Sequence, residues 1–181
     1  MHRLPRRAVL AATALAAGLG CGCEPEFNWR DVTLASASVQ LPCKPDRAVR
    51  PVRLGEREWP VEMVACDRGG FTWAALSVVA PGGDRAALAG ALRQAMAANL
   101  GADAAASGPA AQGGFADGVF DRALQLNGRR PDGSPAWAAL YYAGRGEQVI
   151  ELVALLPKPP TPAQAAALAH FHGSVQWRAG P

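Results

Sequence analysis

The stretch that decides the fold is EWPVEMVACDRGGFTWAALSVV, residues 58–79, in which two apolar segments flank the pair Gly69-Gly70. β-Branched and aromatic residues are frequent in both segments, and a pair of glycines is typical of a tight turn between antiparallel strands. A further segment, AVRPVRL at 48–54, precedes Gly55-Glu56. We therefore predict a meander of at least three antiparallel strands.

Two prolines fall inside these segments, Pro51 in the first and Pro60 in the second. Proline has no backbone N–H to donate to a neighbouring strand, so it is confined to edge positions and bulges. We expect both prolines at such positions.

Further strands are predicted on either side of the meander. In SASVQLP, residues 36–42, alternation places Ala37, Val39 and Leu41 on the buried face. The downstream segments predicted as strands are VFDRALQLN at 119–127, AWAALYYA at 136–143 and QVIELVALL at 148–156.

Two helices are predicted from capping residues and periodicity. Asp84 is a suitable N-cap for a helix that stops near Gly101. Its apolar stripe consists of Leu88, Leu92, Ala95 and Met96. Thr161, Pro162 and Gln164 form a capping box with proline at the first helical position, and this second helix buries Leu168 and Phe171 and ends at Gly173.

Together these elements predict an α+β fold with an antiparallel sheet of about six strands flanked by two main helices. We place a single domain at residues 31–181. Its length is sufficient for one hydrophobic core.

The N-terminus has the layout of an export signal, with the basic start MHRLPRR followed by AVLAATALAAGLG. The apolar run contains few large side chains and is shorter than the about 20 residues that cross a bilayer. We therefore assign residues 1–20 to a cleaved signal peptide. Arg6 and Arg7 resemble a twin-arginine signal, and general secretory export remains the alternative.

Cys21 follows Gly18, Leu19 and Gly20, a run that resembles the lipobox of bacterial lipoproteins. The resemblance implies acylation of Cys21, a tether over residues 21–30 and a periplasmic domain anchored to a membrane. An ordinary signal peptide cut near residues 14–16 is the alternative. In that case Cys21 and Cys23 would both remain as thiols.

Charge argues against nucleic acid as a partner. The 18 basic residues include Arg3, Arg6 and Arg7, and without these three the chain has 15 basic and 15 acidic residues. A nucleic-acid-binding protein needs a basic surface to neutralise phosphates. The basicity of the whole chain belongs to the predicted signal peptide.

The segment ASVQLPCKP at 37–45, followed by a meander, a long helix, more strands and a C-terminal helix, resembles the PsbP/DcrB-like group of small exported proteins. The motif-like part is Leu-Pro-Cys-Lys-Pro at 41–45. This resemblance implies a sandwich-like α+β fold and a non-catalytic accessory or binding role. It supplies no catalytic residues.

Cys43 and Cys66 are predicted to form a disulfide. The hairpin centred on Gly55-Glu56 brings Cys66 opposite roughly Arg47, only a short turn from Cys43. Export would place the pair in an oxidising compartment. The alternative is two separate buried thiols.

No catalytic or phosphate-binding motif occurs in the sequence. His170 and His172 point to nearly opposite sides of a helix, and we interpret both as surface residues at the helix end. The acidic pairs Glu56 with Glu58 and Asp117 with Asp121 lie beside turns, where solvated charge is expected. The tryptophans are predicted to pack in the core or at strand ends; Trp59 and one of Tyr141 and Tyr142 are candidates for exposure.

We therefore predict a non-enzymatic module without a cofactor, attached to the membrane through acyl chains and contacting an envelope protein. Its working surface is assigned to the long loop at 102–114 and the neighbouring strand ends, with an insertion of no function as the alternative. The competing functional class is a thiol-based protein that uses Cys21 and Cys23 for a soft metal such as Cu(I) or as a redox couple.

Overall fold

The predicted hairpin at residues 58–79 lies at the centre of the structure, a computed structural model that describes residues 26–82, 84–102 and 124–178. The strands within these residues are β1 (Arg30–Leu34), β2 (Ala37–Leu41), β3 (Asp46–Leu54), β4 (Arg57–Arg68), β5 (Phe71–Val79), β6 (Leu124–Arg129), β7 (Pro135–Arg145), β8 (Gln148–Leu156) and β9 (Gln176–Trp177). The helices are α1 (Arg85–Asn99) and α2 (Pro162–His172).

The strands form two antiparallel sheets. The larger sheet has six strands in the order β3-β4-β5-β8-β7-β6, and the smaller has the order β1-β2-β9. The α+β class, the six-stranded sheet and the two helices are confirmed. The separate three-stranded sheet was not predicted: β1 and β2 form a hairpin of their own rather than extending the meander.

Both prolines lie where the sheet needs no donor. Pro51 is in β3, an edge strand, and it faces Pro60 of β4. Pairing of β4 with β5 ends at Val61 and Val78, so Pro60 lies just beyond the last bonded pair. The expectation for these prolines is confirmed.

The six-stranded sheet is covered on both faces. One face packs against α1 through a cluster that includes Leu88, Leu92 and Tyr142. The other packs against the small sheet and α2 through a cluster that includes Trp73 and Phe171. Because both faces are buried, β7 and β8 are nearly continuously buried rather than alternating.

Gln148 connects the two sheets. Its Nε2 donates to the backbone oxygen of Leu34 at 2.9 Å and to the Ser77 hydroxyl at 2.8 Å. Its Oε1 accepts from the backbone N–H and the hydroxyl of Ser36. The side-chain amide is thus satisfied on both sides, as a buried polar group requires.

Both helix starts are capped as predicted. The Asp84 carboxylate accepts from the backbone N–H groups of Ala86 and Ala87. Thr161 and Gln164 form the reciprocal capping box with Pro162 in the first turn. Phe171 is fully buried, whereas Leu168 is only partly buried.

A close backbone approach joins the end of α1 to β6. The Arg129 N–H donates to the Leu100 carbonyl at 2.7 Å. A Cβ added at Gly128 would lie 2.2 Å from that carbonyl oxygen. Only glycine fits here without displacing the backbone, so Gly128 fixes how α1 ends on the sheet.

The disulfide joins Cys43, between β2 and β3, to Cys66 of β4. The Cα atoms are 6.1 Å apart, within the usual range for a disulfide. The bond links the small sheet to the large one through the β2–β3 connection.

Candidate functional site

The chain upstream of β1 is fixed at one end of the six-stranded sheet. Arg68, at the end of β4, donates from Nε to the Glu26 carbonyl at 2.7 Å. Asn28 donates from its backbone N–H to the Pro42 carbonyl at 2.9 Å. The packed part of the chain therefore extends upstream of Asp31, where the sequence analysis places the start of the domain.

Aromatic packing completes this attachment. The Phe27 ring lies edge-on to Trp73 at a centroid distance of 6.0 Å, and Trp29 lies 5.9 Å from the same ring. Phe27 also covers the β4–β5 turn, since a Cβ on Gly69 would lie 2.6 Å from its ring. Gly69 has a positive φ of 63°, so this turn needs glycine for two reasons.

Three features meet at this end of the sheet: the β4–β5 turn, the β6–β7 turn and the end of α1. We call it the Arg130 end. A cavity of about 600 Å³ is lined by Asn99, Leu100, Gly101, Asn127, Gly128, Arg129, Arg130 and Pro131. A second cavity, of about 380 Å³, is lined by Asp67, Arg68, Gly70, Phe71, Thr72 and Arg130. Arg130 lies between the two, and both are open to solvent.

The guanidinium groups of Arg129 and Arg130 contribute positive charge beside the larger cavity. Arg129 donates from one terminal nitrogen to the Gly133 carbonyl at 2.8 Å. Within residues 26–82, 84–102 and 124–178, the ion pairs are Arg47 with Glu62 and Arg53 with Glu58, so neither Arg129 nor Arg130 pairs with a carboxylate there.

Acidic side chains also lie at this end: the Glu26 carboxylate is beside Gly69, and Asp132 and Asp67 accept hydrogen bonds within the chain. Asp132 accepts from the hydroxyl and the backbone N–H of Ser134, and these bonds, with a smaller contribution from the charge of Arg130, hold the pKa of its carboxyl group below the usual range. Asp67 accepts from the Thr72 hydroxyl at 2.6 Å. Guanidinium and amide donors together can bind an anionic group at this end.

The most perturbed carboxyl group lies elsewhere, beneath α1. Glu151 of β8 is 1% exposed, and burial raises its pKa to about 7. The Tyr142 hydroxyl donates to it at 2.8 Å. Because it is enclosed, a solute cannot reach this carboxyl group in the folded state.

The two histidines of α2 have different environments. His170 is exposed, and its Nε2 lies 2.7 Å from Gln40 Oε1 while its ring lies 4.3 Å from Trp29. His172 is buried, and its ring stacks on Tyr141 at 5.4 Å. The prediction of a surface position is therefore wrong for His172, because the last turn of α2 is docked against β7.

The other predicted site residues are dispersed. Cys21, Cys23, Asp117 and Asp121 lie outside the described residues, as does the predicted loop beyond Ala102. Glu56 and Glu58 are exposed at the β3–β4 turn, where Glu58 lies 3.9 Å from Arg53.

The tryptophans and tyrosines agree with the sequence analysis only in part. Trp73 is fully buried in the core, and Trp59 is half-buried with the Arg57 guanidinium 4.2 Å above its ring. Tyr142 is buried against α1 and Tyr141 is partly buried on the α2 face, so neither tyrosine is an exposed residue of the sheet.

Neither a metal site nor a membrane-spanning helix is found in the described part of the chain. No group of three or more His, Cys, Asp or Glu side chains among these residues is arranged to hold a metal ion. No helix there has both the length and the apolar character needed to cross a bilayer.

Comparison with protein-family models, with curated proteins and with solved structures gives no match for this chain.

The site arginines and, away from the site, the buried carboxyl group of Glu151 were not predicted from the sequence. Arg129 and Arg130 gave no signal beyond that of a chance arginine pair, since only the folded chain brings Arg130 next to the β4–β5 turn and both arginines next to the end of α1. Glu151 interrupts the apolar run QVIELVALL, and that single charge was the available sign of a buried carboxyl group.

Proposed function

We propose that the chain is an exported bacterial envelope domain, held at a membrane through an acylated Cys21, that works as a non-catalytic accessory or binding module. The observation that carries this proposal is the disulfide between Cys43 and Cys66. Disulfides persist in oxidising compartments such as the periplasm and are rare in the cytosol. The lipobox-like run before Cys21 supports attachment to the membrane.

The binding surface is assigned to the Arg130 end. Its larger cavity is lined by Gly101, one residue before the start of the loop that the sequence marks as the working surface. Arg129 and Arg130 offer hydrogen-bond donors with fixed positive charge beside the amides of Asn99 and Asn127. Such a surface favours recognition of a partner over chemistry on a small substrate.

Membership of the PsbP/DcrB-like group is part of the same proposal. An antiparallel sheet with two helices is compatible with that group, and the Leu-Pro-Cys-Lys-Pro segment at 41–45 supports it.

A matched pair of variants tests the anchor. Cys21→Ser should release the protein from the membrane fraction or stall its processing, whereas Cys23→Ser should leave both unchanged. In-cell cross-linking of the wild type, followed by identification of captured envelope proteins, then tests the binding role. If Cys21→Ser leaves membrane fractionation and mature mass unchanged, the anchor proposal is wrong.

The same pair of variants addresses the alternative class. A thiol-based site requires two thiols in the mature protein, because an acylated Cys21 has its sulfur in a thioether. Stoichiometric Cu(I) binding that is lost in both Cys21→Ser and Cys23→Ser would support the alternative and contradict the anchor.

A further inference from the structure

The position of Glu26 determines which end of the domain is nearest to the anchor. Glu26 is held at the β4–β5 turn by Arg68, and Phe27 packs over Gly69 of that turn. Five residue steps separate Cys21 from Glu26, and five steps of extended chain span at most about 18 Å. An acyl-anchored Cys21 therefore keeps Glu26, and with it the β4–β5 turn of the Arg130 end, within about 18 Å of the point of attachment.

The opposite end is much farther away. β5 has nine residues between the two ends of the sheet, which at the usual rise corresponds to about 30 Å. The β3–β4 turn with Gly55-Glu56 lies at that far end. The tether thus selects one end of the sheet to face the lipid.

The Arg130 end carries charge suited to an anionic surface. Arg129 and Arg130 form no ion pair within the described residues, and Arg130 faces both open cavities. Arg68 lines the second cavity, and Lys158 is exposed just after β8, at the same end. The opposing charges at this end are Asp67, Asp132 and Glu26, whose carboxylate oxygen lies 3.2 Å from the Cβ position of Gly69. Thr72 and Ser134 bond to Asp67 and Asp132 without removing their negative charge, so four basic side chains stand against three acidic ones.

We infer that the Arg130 end is a lipid-docking surface, on which Arg129 and Arg130 bind the phosphates of anionic phospholipid head groups and seat the domain on the membrane. The inference rests on the proposed anchoring at Cys21, and it names the ligand class of the same surface. Basic side chains near an anionic bilayer each shift such an equilibrium about fivefold, and the attraction decreases with salt.

The test uses the full chain as isolated from producing cells, with a fluorescent amino acid replacing the exposed Pro159 at the Arg130 end. The protein is mixed with vesicles of phosphatidylcholine alone or with added phosphatidylglycerol, each containing a lipid whose head group carries an energy acceptor. We expect energy transfer to rise when phosphatidylglycerol is present and to fall between about 0.05 M and about 0.5 M NaCl. A probe at Glu56, at the far end, should show little change.

The charge pair is tested by Arg129→Gln with Arg130→Gln, against the matched control Arg53→Gln with Arg57→Gln at the far end. The first pair should lower the equilibrium constant for docking of the Arg130 end on anionic vesicles about fivefold per arginine. The control pair should leave that constant unchanged. Arg129 also supports the β6–β7 turn through its bond to the Gly133 carbonyl. The single variant Arg130→Gln leaves that bond intact and therefore tests the charge alone. Circular dichroism confirms that each variant is folded.

The outcomes separate the two proposals. An acylated protein whose energy transfer is equal on neutral and anionic vesicles overturns the docking surface and leaves the anchor intact. The same holds if Arg130→Gln behaves as wild type, or if the control pair loses as much transfer as the test pair. An unacylated protein that still responds to phosphatidylglycerol supports the docking surface and overturns the anchor.

Discussion

Tyr142 of β7 and Glu151 of β8 lie directly opposite each other, and the Tyr142 hydroxyl donates a 2.8 Å hydrogen bond to the Glu151 carboxyl group. Leu76 of β5 flanks Glu151 on its other side, and Arg93 of α1 interacts electrostatically with Tyr142. Burial dominates this environment and raises the pKa of Glu151 to about 7.

Glu151 should make the fold less stable as pH rises. Its pKa is raised from 4.5 to about 7, so between these values the native state holds a proton that the unfolded state has lost. The stabilising contribution is complete below pH 4.5 and is lost as pH rises through 7, by about 3 kcal/mol. We expect the free energy of unfolding of Glu151→Gln, relative to that of the wild type, to increase by about 3 kcal/mol as pH is raised from 4.5 to 8. Urea unfolding of both proteins at each pH measures this difference. A constant difference between the two proteins would contradict this assignment.

His172 should act in the opposite direction. Burial lowers its pKa from 6.5 to about 4, so between these values the unfolded state binds the proton. The contribution of His172 to the free energy of unfolding is complete above pH 6.5 and is lost as pH falls through 4. The loss amounts to about 3 kcal/mol. The two groups therefore offset each other over much of the acidic range.

The test for this residue is His172→Phe, which keeps a ring to stack on Tyr141 and removes Nε2, a buried atom without a hydrogen-bond partner among the described residues. We expect higher stability than wild type, by about 1 kcal/mol at pH 7 and more at pH 4. Melting temperatures at the two pH values check it. A variant that is less stable at both would mean that the imidazole has a structural role.

Strand positions could be predicted from the sequence because alternation and turn residues are local. Ala37, Val39 and Leu41 are all fully buried, as their spacing indicates. The position of His172 could not be predicted, because the side on which the last turn of a helix docks depends on distant residues such as Tyr141. The Arg130 end is equally non-local, since it joins turns that lie about sixty residues apart in sequence.

Gly128 should tolerate no side chain. A Cβ there would lie 2.2 Å from the Leu100 carbonyl oxygen, so Gly128→Ala must displace either β6 or the end of α1. We expect a loss of about 1–3 kcal/mol in the free energy of unfolding. Gly90→Ala, within α1 and with nothing within 4 Å of the added atom, is the matched control and should gain up to about 1 kcal/mol. Equal effects of the two substitutions would show that the contact with Leu100 is not limiting.

Removal of the disulfide should destabilise the domain without changing its fold. The bond closes a loop with a sequence separation of 23, which corresponds to about 3 kcal/mol in the chain-entropy model. The double variant Cys43→Ser with Cys66→Ser should therefore melt at a lower temperature and become insensitive to reductant. Wild-type protein whose melting temperature does not respond to reductant would argue against this contribution.

The most direct measurement of the central claim is the mass of the N-terminal peptide of the mature protein, isolated from the membrane fraction of producing cells. The proposed function predicts a peptide that begins at Cys21 and carries acyl chains, with Cys23 unmodified by lipid. A peptide that begins upstream of Cys21 and contains both thiols without acyl mass would contradict the membrane-anchored account.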